Sequence, residues 1–272
     1  MTTPATTSAS SMYTPAANGG RFVWHDLMTS DVTAGLAFYQ ALFGWTTSPM
    51  DLGAMGTYTV VEAHGSGLGG VVPLDPSQGL PSHWIAYVTT SDVDATTAHA
   101  RSLGATVGVP PTDIPNVGRF SVVADPAGAY FSPFRGDGPD MPASANPPLG
   151  TVAWDELMTS DASANTTFYP ALFGWTHETM DMGPMGTYHL FRRAGEFVAG
   201  MMQMPPEETH GSRWLPYFAV ASTDTAAVRI AELGGTILVA PMDIGDWGRS
   251  AMAVDPTGAV FGVLEIKKPM DG

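Results

Sequence analysis

The chain has 272 residues, a length that accommodates two domains of about 100 to 150 residues. Its formal charge of -15, from 11 basic and 26 acidic side chains, argues against nucleic acid or an anionic membrane as a partner. The absence of cysteine excludes disulfides, thiolate nucleophiles and Cys-ligated metal.

The first 19 residues are rich in Thr, Ser, Ala and Pro and have neither a basic nor an apolar signal region. We interpret residues 1–19 as a disordered tail. No run of about 18 apolar residues occurs anywhere, so no transmembrane helix is predicted. We therefore expect a cytoplasmic protein.

The next segment predicts a strand, a helix and three further strands. Residues 22–28 have strand composition, and Asp31 is a suitable N-cap for a helix that ends at Gly44. The Gly-rich breaks that follow separate three predicted strands. These three strands are residues 45–49, 57–63 and 67–73.

The same order then repeats. A strand over residues 83–89 precedes a helix that begins at Asp92 or Asp94 and ends at Gly104. Three more strands are predicted at residues 106–109, 119–124 and 129–134. The first half of the chain therefore contains the order βαβββ twice.

A shift of 130 residues superposes the chain on itself without a gap. The segment from Trp24 to Asp31 matches Trp154 to Asp161, and Leu42-Phe43-Gly44-Trp45 recurs 130 residues later. A domain-sized period indicates duplication, not a solenoid. We predict a domain over 20–135, a Gly/Pro-rich linker over 136–149 and a second domain over 150–267, each with its own core.

Paired βαβββ units with these motifs, together with Asp125-Pro126-x-Gly128 and its repeat, resemble the vicinal oxygen chelate superfamily (glyoxalase and bleomycin-resistance type). The resemblance implies an α+β fold in which the two βαβββ modules of each domain form a concave mixed sheet with the helices outside. It does not imply one activity, because this fold carries lyases, isomerases, dioxygenases and non-catalytic drug-sequestering proteins.

Metal-using members of the superfamily place His and Glu ligands on converging strands. Here the first position is Trp24 or Trp154, the last is Ser132 or Gly262, and the intermediate position falls near Ile85 or Leu215. None of these side chains is a usual metal ligand. We predict that no metal and no other cofactor is required, and that protein purified without added metal contains no stoichiometric transition metal.

Acid–base candidates come from the first strand of each copy. Strand alternation places Trp24, Asp26 and Met28 on the face that the resemblance makes concave, and His25 on the other face. A carboxylate beside Trp in a desolvated cleft has a raised pKa, which suits proton transfer. The alternative is that these carboxylates only hold the fold. The predicted catalytic residues are Asp26, Glu156, His25 and His83.

The ligand candidates are aromatic, Met and Arg side chains. Aromatic rings and the 16 Met suit an adaptable apolar pocket, although core packing explains many of them as well. Arg119 and Arg249 are basic in both copies and could bind an anion or pair with the excess acids. The predicted ligand-binding residues are Trp24, Met28, Tyr58, Trp84, Arg119, Trp154, Met158, Tyr188, Trp214, Trp247 and Arg249.

These observations favour a metal-independent lyase, isomerase or cyclase that binds a small apolar or aromatic metabolite. The alternatives are a non-catalytic sequestering protein and, less favoured, a metal-dependent glyoxalase or dioxygenase. We expect a monomer or homodimer. The two clefts are expected to be unequal, because His25, Asp26, His83 and Val117 become Asp155, Glu156, Arg213 and Trp247 in the second copy. The first cleft is the predicted site.

Overall fold

The computed structural model describes residues 19–53, 56–138, 147–183, 186–208 and 210–268. Residues 1–18 of the predicted tail and residues 139–146 of the predicted linker lie outside these ranges. None of the helices in the described part of the chain has the length and apolar character needed to cross a membrane.

The first copy contains two βαβββ modules in succession, as the sequence predicts. Its elements are β1 (Phe22–Thr29), α1 (Val32–Phe43), β2 (Thr46–Asp51), β3 (Thr57–Ala63), β4 (Ser66–Pro73), β5 (His83–Thr89), α2 (Val93–Ser102), β6 (Thr106–Ile114), β7 (Gly118–Ala124) and β8 (Tyr130–Gly136).

The second copy repeats this order, so that the fold contains four βαβββ modules. Its elements are β9 (Val152–Thr159), α3 (Ala162–Phe173), β10 (Thr176–Asp181), β11 (Thr187–Arg193), β12 (Glu196–Gln203), β13 (Arg213–Ala219), α4 (Thr223–Glu232), β14 (Thr236–Asp243), β15 (Gly248–Val254) and β16 (Val260–Ile266).

Local sequence determines where α1 begins and ends. The Asp31 side chain accepts a hydrogen bond from the Ala34 N–H at 2.9 Å, which caps the first turn. Gly44 ends the helix with a φ of 73°, a left-handed conformation that glycine adopts without a Cβ clash.

Strand β6 is longer than predicted. The predicted strand ended at Val109, directly before Pro110 and Pro111, yet β6 continues through both prolines to Ile114. Because β6 is the edge strand of its sheet and is irregular between Val109 and Thr112, the missing N–H groups of the prolines disturb the pairing locally without ending it.

Each copy forms one curled eight-stranded sheet, and this confirms the predicted α+β fold. The order in the first sheet (β1–β8) is β2-β3-β4-β1-β5-β8-β7-β6, and the second sheet (β9–β16) has the equivalent order. The two modules of each copy meet at a central antiparallel pair, β1 with β5 and β9 with β13. The first strand of each copy therefore lies in the middle of its concave surface.

The helices lie outside the concave faces, where they pack against the other copy. Tyr39 of α1 contacts Trp84 of its own sheet and Phe261 of the second sheet, with ring centroids 5.3 Å apart in both pairs. Tyr169 of α3 likewise contacts Phe131 of the first sheet. Each of the two large cores thus draws side chains from both copies, whereas the smaller third core lies within the second copy.

Candidate functional site

The concave surface of the first sheet carries a carboxylate surrounded by hydrogen-bond donors. Asp26 is only 4% exposed. Its Oδ1 accepts hydrogen bonds from Trp24 Nε1 at 3.0 Å and from the Tyr58 hydroxyl, and its Oδ2 accepts one from the Tyr87 hydroxyl at 2.8 Å. Trp24 and Asp26 share one face, as strand alternation predicts. We call Trp24, Asp26, Tyr58 and Tyr87 the first carboxylate cluster.

The second sheet contains an equivalent arrangement, the second carboxylate cluster, formed by Trp154, Glu156, Tyr188 and Tyr217. Glu156 Oε2 accepts from the Tyr188 hydroxyl at 2.8 Å, and Oε1 accepts from the Tyr217 hydroxyl at 3.1 Å. Trp154 donates to the Tyr188 oxygen at 2.8 Å, but no bond from Trp154 to Glu156 is present. The longer Glu side chain thus reaches both tyrosines while the indole contacts only one of them.

A glycine in each copy makes room for the first tyrosine. Gly70 lies beside Asp26 in the parallel β1–β4 pair, and a Cβ on Gly70 would fall 2.0 Å from the Tyr58 ring carbon and hydroxyl. A Cβ on Gly200 would likewise fall 1.8 Å from the Tyr188 hydroxyl. The tyrosine therefore reaches the carboxylate only because the neighbouring strand carries no side chain at this position.

Burial raises the pKa of Asp26 above its ordinary value, although the bonds from Tyr58, Tyr87, Trp24 and the Gly70 N–H oppose that shift. The pKa of Glu156 is raised by burial in the same way. The pKa values of the four tyrosines are also raised, first by burial and then by the adjacent carboxylate, so their hydroxyls stay neutral donors. Such a carboxyl group can exchange a proton nearer to neutral pH than an exposed one.

The raised pKa of Asp26 predicts a pH-dependent effect of Asp26→Asn on stability. A carboxyl group with a higher pKa in the folded than in the unfolded protein stabilises the fold most at low pH. This contribution disappears as the pH rises through the folded pKa. Asn does not titrate, so the free energy of unfolding of Asp26→Asn minus that of the unmodified protein should rise from pH 4 upwards. The rise should reach about 1.4 kcal/mol per unit of pKa difference. Urea unfolding between pH 4 and 8 measures it.

Glu156→Gln provides the matched variant and should show the same trend, because its pKa is raised for the same reason. A difference that stays constant or falls as the pH rises would contradict the assigned direction of the pKa shift.

The two predicted catalytic histidines do not join Asp26. His25 lies on the opposite face of β1, where its Nε2 is 2.7 Å from Asp155 Oδ1 of the other copy, and both side chains are buried. A catalytic role of His25 in the cleft is therefore corrected to a contact between copies. His83 pairs with Met28 on the concave side, and its Nδ1 is 2.7 Å from the Pro81 carbonyl oxygen. His83 thus lies at one end of the cleft.

Both predicted anion-binding arginines form ion pairs at the surface. Arg119 Nε lies 2.7 Å from Asp94 and its Nη1 lies 2.8 Å from Asp113. Arg249 Nε contacts Asp224 at 2.7 Å. The structure thus supports the alternative of pairing with the excess acids, because these bonds occupy the guanidinium donors.

Two predicted ligand contacts, Trp84 and Trp214, are corrected to core residues. Both are buried, and each donates its indole N–H to the hydroxyl of the helix tyrosine, Tyr39 or Tyr169. Alternate residues of β5 and β13 face the cleft. Trp84 and Trp214 lie at the intervening positions, so their side chains point towards the helices. Met28 and Met158 follow the carboxylate residues by two positions on β1 and β9, and their ligand-binding role stays a prediction. Trp247 lines a cavity between the copies.

Sequence reasoning did not identify Tyr87, Tyr217, Gly70 and Gly200 as site residues. All four are identical at equivalent positions of the two copies, and Tyr87 lies opposite Trp24 in the β1–β5 pair. Identity in both copies is therefore a signal for these residues in the sequence, but many residues that only support the fold are identical as well. Only the strand pairing shows that they surround a carboxylate.

The metal-ligand positions of the superfamily do not fit a metal ion here. The Trp24 indole donates its only polar hydrogen to the cluster, and the Ser132 hydroxyl donates to the Ser121 carbonyl oxygen. A Cβ on Gly262 would fall 2.2 Å from the Tyr217 ring, so that ring occupies the space of a ligating side chain. The described residues contain no group of three or more His, Cys, Asp or Glu suited to a metal ion.

Comparison with known proteins yields matches for both copies. Residues 21–132 match the Glyoxalase/Bleomycin resistance protein/Dioxygenase superfamily, and residues 151–264 match the Glyoxalase-like domain. The chain is 33% identical to the putative glyoxylase CFP32 of Mycobacterium bovis over 246 residues, which are 89% of this chain and 93% of that protein. It is also 33% identical to the anthracycline biosynthesis protein DnrV of Streptomyces peucetius over 263 residues, 92% and 94% of the two chains.

Solved structures share the fold at low sequence identity. The Mn(II)-bound glyoxalase from Novosphingobium aromaticivorans has a TM-score of 0.64 at 17% identity, and the match covers 93% of this chain and 84% of that one. The 2,3-dioxygenase LapB from Pseudomonas sp. KL28 has a TM-score of 0.63 at 13% identity, with 93% and 94% coverage.

Proposed function

Because the chain belongs to the glyoxalase/bleomycin resistance/dioxygenase superfamily, we propose that it binds a small aromatic metabolite in the first cleft and converts it as a metal-independent lyase, isomerase or cyclase. The observation that carries this proposal is the first carboxylate cluster. It places a buried carboxyl group of raised pKa among three neutral donors on a concave surface.

The cluster has the groups that proton transfer at carbon requires. Asp26 removes a proton from a carbon next to a carbonyl group and returns it to another atom of the same molecule. Tyr58 and Tyr87 are the neutral donors that can turn from Asp26 to the developing oxyanion. The net reaction is an isomerisation or an intramolecular ring closure or, where the electron pair of the broken C–H bond expels a β-leaving group that takes up the proton from Asp26, an elimination. None of these reactions consumes an oxidant. The similarity to DnrV favours a polycyclic aromatic substrate of specialised metabolism.

Several side chains around the first carboxylate cluster are more exposed than their counterparts in the second copy, although Asp26 itself (4% exposed) is as buried as Glu156 (7%). In the second cleft Met158 and Tyr217 are each only 7% exposed and Val260 is 6% exposed. Their counterparts Met28 and Tyr87 are half-buried, and Tyr130 is 43% exposed. Met side chains at positions 202, 204 and 252 replace Val72, Leu74 and Val122, and these longer, flexible side chains fill the second cleft.

The test uses a planar hydroxyanthraquinone as the probe. Quenching of the protein's tryptophan fluorescence measures its binding, and liquid chromatography with mass spectrometry follows its conversion. We expect binding at the first cleft, and a loss of conversion of at least roughly 100-fold in Asp26→Asn. Glu156→Gln, the matched variant in the filled cleft, should retain conversion within about twofold. Equal losses in both variants would contradict the assignment to the first cleft.

A sequestering protein is the second candidate, supported by the apolar residues around the cleft. It predicts that the probe binds and is recovered unchanged, and that Asp26→Asn alters affinity without any effect on turnover. Mass spectrometry of ligands that co-purify with the protein distinguishes the two candidates further, because a sequestered compound is recovered as a single unaltered species.

We also expect well below one equivalent of transition metal per chain after purification without added metal, because the ligand positions carry Trp24, Ser132 and Gly262. Elemental analysis by plasma mass spectrometry measures the content. One equivalent of zinc, nickel, iron or manganese, removable with loss of conversion, would contradict the metal-independent mechanism.

A further inference from the structure

A cavity of about 490 Å³ lies between the two copies, away from the first carboxylate cluster. Its wall is formed by the starts of β1 and β9, by the β3–β4 and β11–β12 hairpins, and by residues from the β14–β15 loop and the end of β16. Trp154 of the second carboxylate cluster lies on its wall, whereas Asp26, Tyr58 and Tyr87 do not. The volume is within the roughly 300 to 1,000 Å³ of small-molecule sites.

Strand separation leaves room for this cavity. The parallel ladder between β1 and β4 begins at the His25–Gly69 pair, and the ladder between β9 and β12 begins at the Glu156–Gly200 pair. Before these pairs, strand β1 separates from β4 and strand β9 separates from β12. The His25–Asp155 contact at 2.7 Å joins the two sheets where they border the cavity.

The two copies differ strongly around this cavity. At five positions the first copy has a small or aliphatic residue and the second copy has a larger aromatic, aliphatic or basic one that lines the wall, whereas at others, such as Phe22 and Val152, the first copy has the larger residue. By contrast, three of the four positions of the carboxylate clusters are identical in the two copies. The changes from first to second copy are Ala63 to Arg193, Gly67 to Phe197, Val117 to Trp247, Gly136 to Ile266 and Gly138 to Lys268.

The chemistry of the wall indicates the class of ligand. Three basic side chains, Arg21, Arg193 and Lys268, line the cavity, whereas among the described residues only two acidic ones, Asp155 and Glu196, do. These three cations and two carboxylates give the wall a formal charge of +1, in a chain of formal charge -15. Lys268 Nζ lies 5.8 Å from the centre of the Trp247 ring, so an aromatic surface adjoins a cation.

We propose that this cavity is a second binding site, which takes a small aromatic anion such as an aryl carboxylate or sulfonate. The aromatic ring packs against Trp247 and the edge of Phe197, whose ring is already contacted by Arg192. The anionic group lies towards Lys268 and towards Arg193, whose Nε donates to the Gly19 carbonyl oxygen. The site does not depend on the proposed reaction at Asp26, since the two sites share no residue.

The probe for this site is 8-anilinonaphthalene-1-sulfonate, with uncharged N-phenyl-1-naphthylamine as its neutral analogue. Fluorescence titration at two salt concentrations gives affinity and stoichiometry. We expect the sulfonate to bind at the cavity with a higher affinity than the neutral analogue, and salt to reduce that preference. Trp247→Val, which restores the residue of the first copy, should weaken sulfonate binding about five- to tenfold.

Lys268→Gln should weaken sulfonate binding about threefold, whereas Lys267→Gln, which removes the same charge outside the cavity, should leave it within about 1.5-fold. Lys268 is exposed, so this variant keeps the fold. Asp26→Asn should not change sulfonate affinity. Absence of sulfonate binding, equal effects of the two lysine variants, or loss of binding in Asp26→Asn would overturn the proposal. Only the last of these outcomes places the probe in the first cleft.

Discussion

A chain cut after residue 149 is expected to lose its stable monomeric fold, although the cut falls in the predicted linker. Phe38, Tyr39 and Trp45 of the first copy are buried in a core completed by Phe218 and Phe261 of the second. Exposure of each such side chain costs roughly 1.5 to 3 kcal/mol. The summed cost of exposing a few such side chains equals the free energy of unfolding of a typical domain, roughly 5 to 15 kcal/mol.

Polar contacts between the copies add to this cost. The Trp45 indole donates to the Gly150 carbonyl oxygen at 2.7 Å. The Trp175 indole donates to the Gly20 carbonyl oxygen at 2.9 Å. The Tyr169 hydroxyl donates to Asp125 at 2.8 Å. Separation of the copies leaves these groups without their partners in an otherwise apolar surface.

Size-exclusion chromatography with light scattering, together with urea unfolding, tests this prediction. Each isolated copy should be a dimer or an aggregate, because the repeat gives both copies a similar helix-covered face. Co-expression of residues 1–149 and 150–272 should restore a one-to-one complex that unfolds cooperatively. An isolated copy that is monomeric and as stable as the whole chain would contradict the shared core.

Gly70→Ala is expected to disrupt the first carboxylate cluster. The new Cβ would fall 2.0 Å from the Tyr58 ring carbon and hydroxyl, so Tyr58 has to move away from Asp26. Such overpacking costs about 1 to 3 kcal/mol of the free energy of unfolding, and the lost hydrogen bond to a carboxylate adds about 1.5 to 3 kcal/mol. Urea unfolding measures the total, and conversion of the hydroxyanthraquinone probe measures the functional loss.

A double-mutant cycle separates the clash from other effects of the added methyl group. In a Tyr58→Ala background the ring is absent, so Gly70→Ala should cost far less than in the unmodified protein. Gly200→Ala with Tyr188→Ala is the matched cycle in the second copy. If Gly70→Ala has the same effect in both backgrounds, Gly70 does not position Tyr58.

The fold was predictable to a large extent because its signals are local and occur twice. The Asp31 cap, the Gly44 helix end and the strand over residues 57–63 agree with the structure. The prediction of a short β6 was wrong, because the effect of Pro110 and Pro111 depends on whether a strand lies at an edge or in the middle of its sheet.

The candidate site was predictable only in part. Strand alternation is sufficient to place Trp24 and Asp26 on one face, and the structure agrees. The third and fourth members, Tyr58 and Tyr87, are 32 and 61 residues from Asp26 along the chain. Their approach depends on how β3, β4 and β5 are ordered in the sheet, and periodicity within one strand contains no information on that order.

The sequence by itself determined the duplication, the helix ends and the shared face of Trp24 and Asp26, because these follow from a repeat, from capping residues and from strand alternation. The resemblance to the superfamily identified that face as concave and indicated which metal-ligand positions carry other residues. Only the tertiary structure decided that the cores are shared between copies, and that His25 contacts Asp155 rather than Asp26. It likewise decided that Trp84 and Trp214 point towards the helices. These features depend on contacts between segments that are far apart in the chain. Which residue contacts which is decided by the packing of the apolar faces of the two copies against each other.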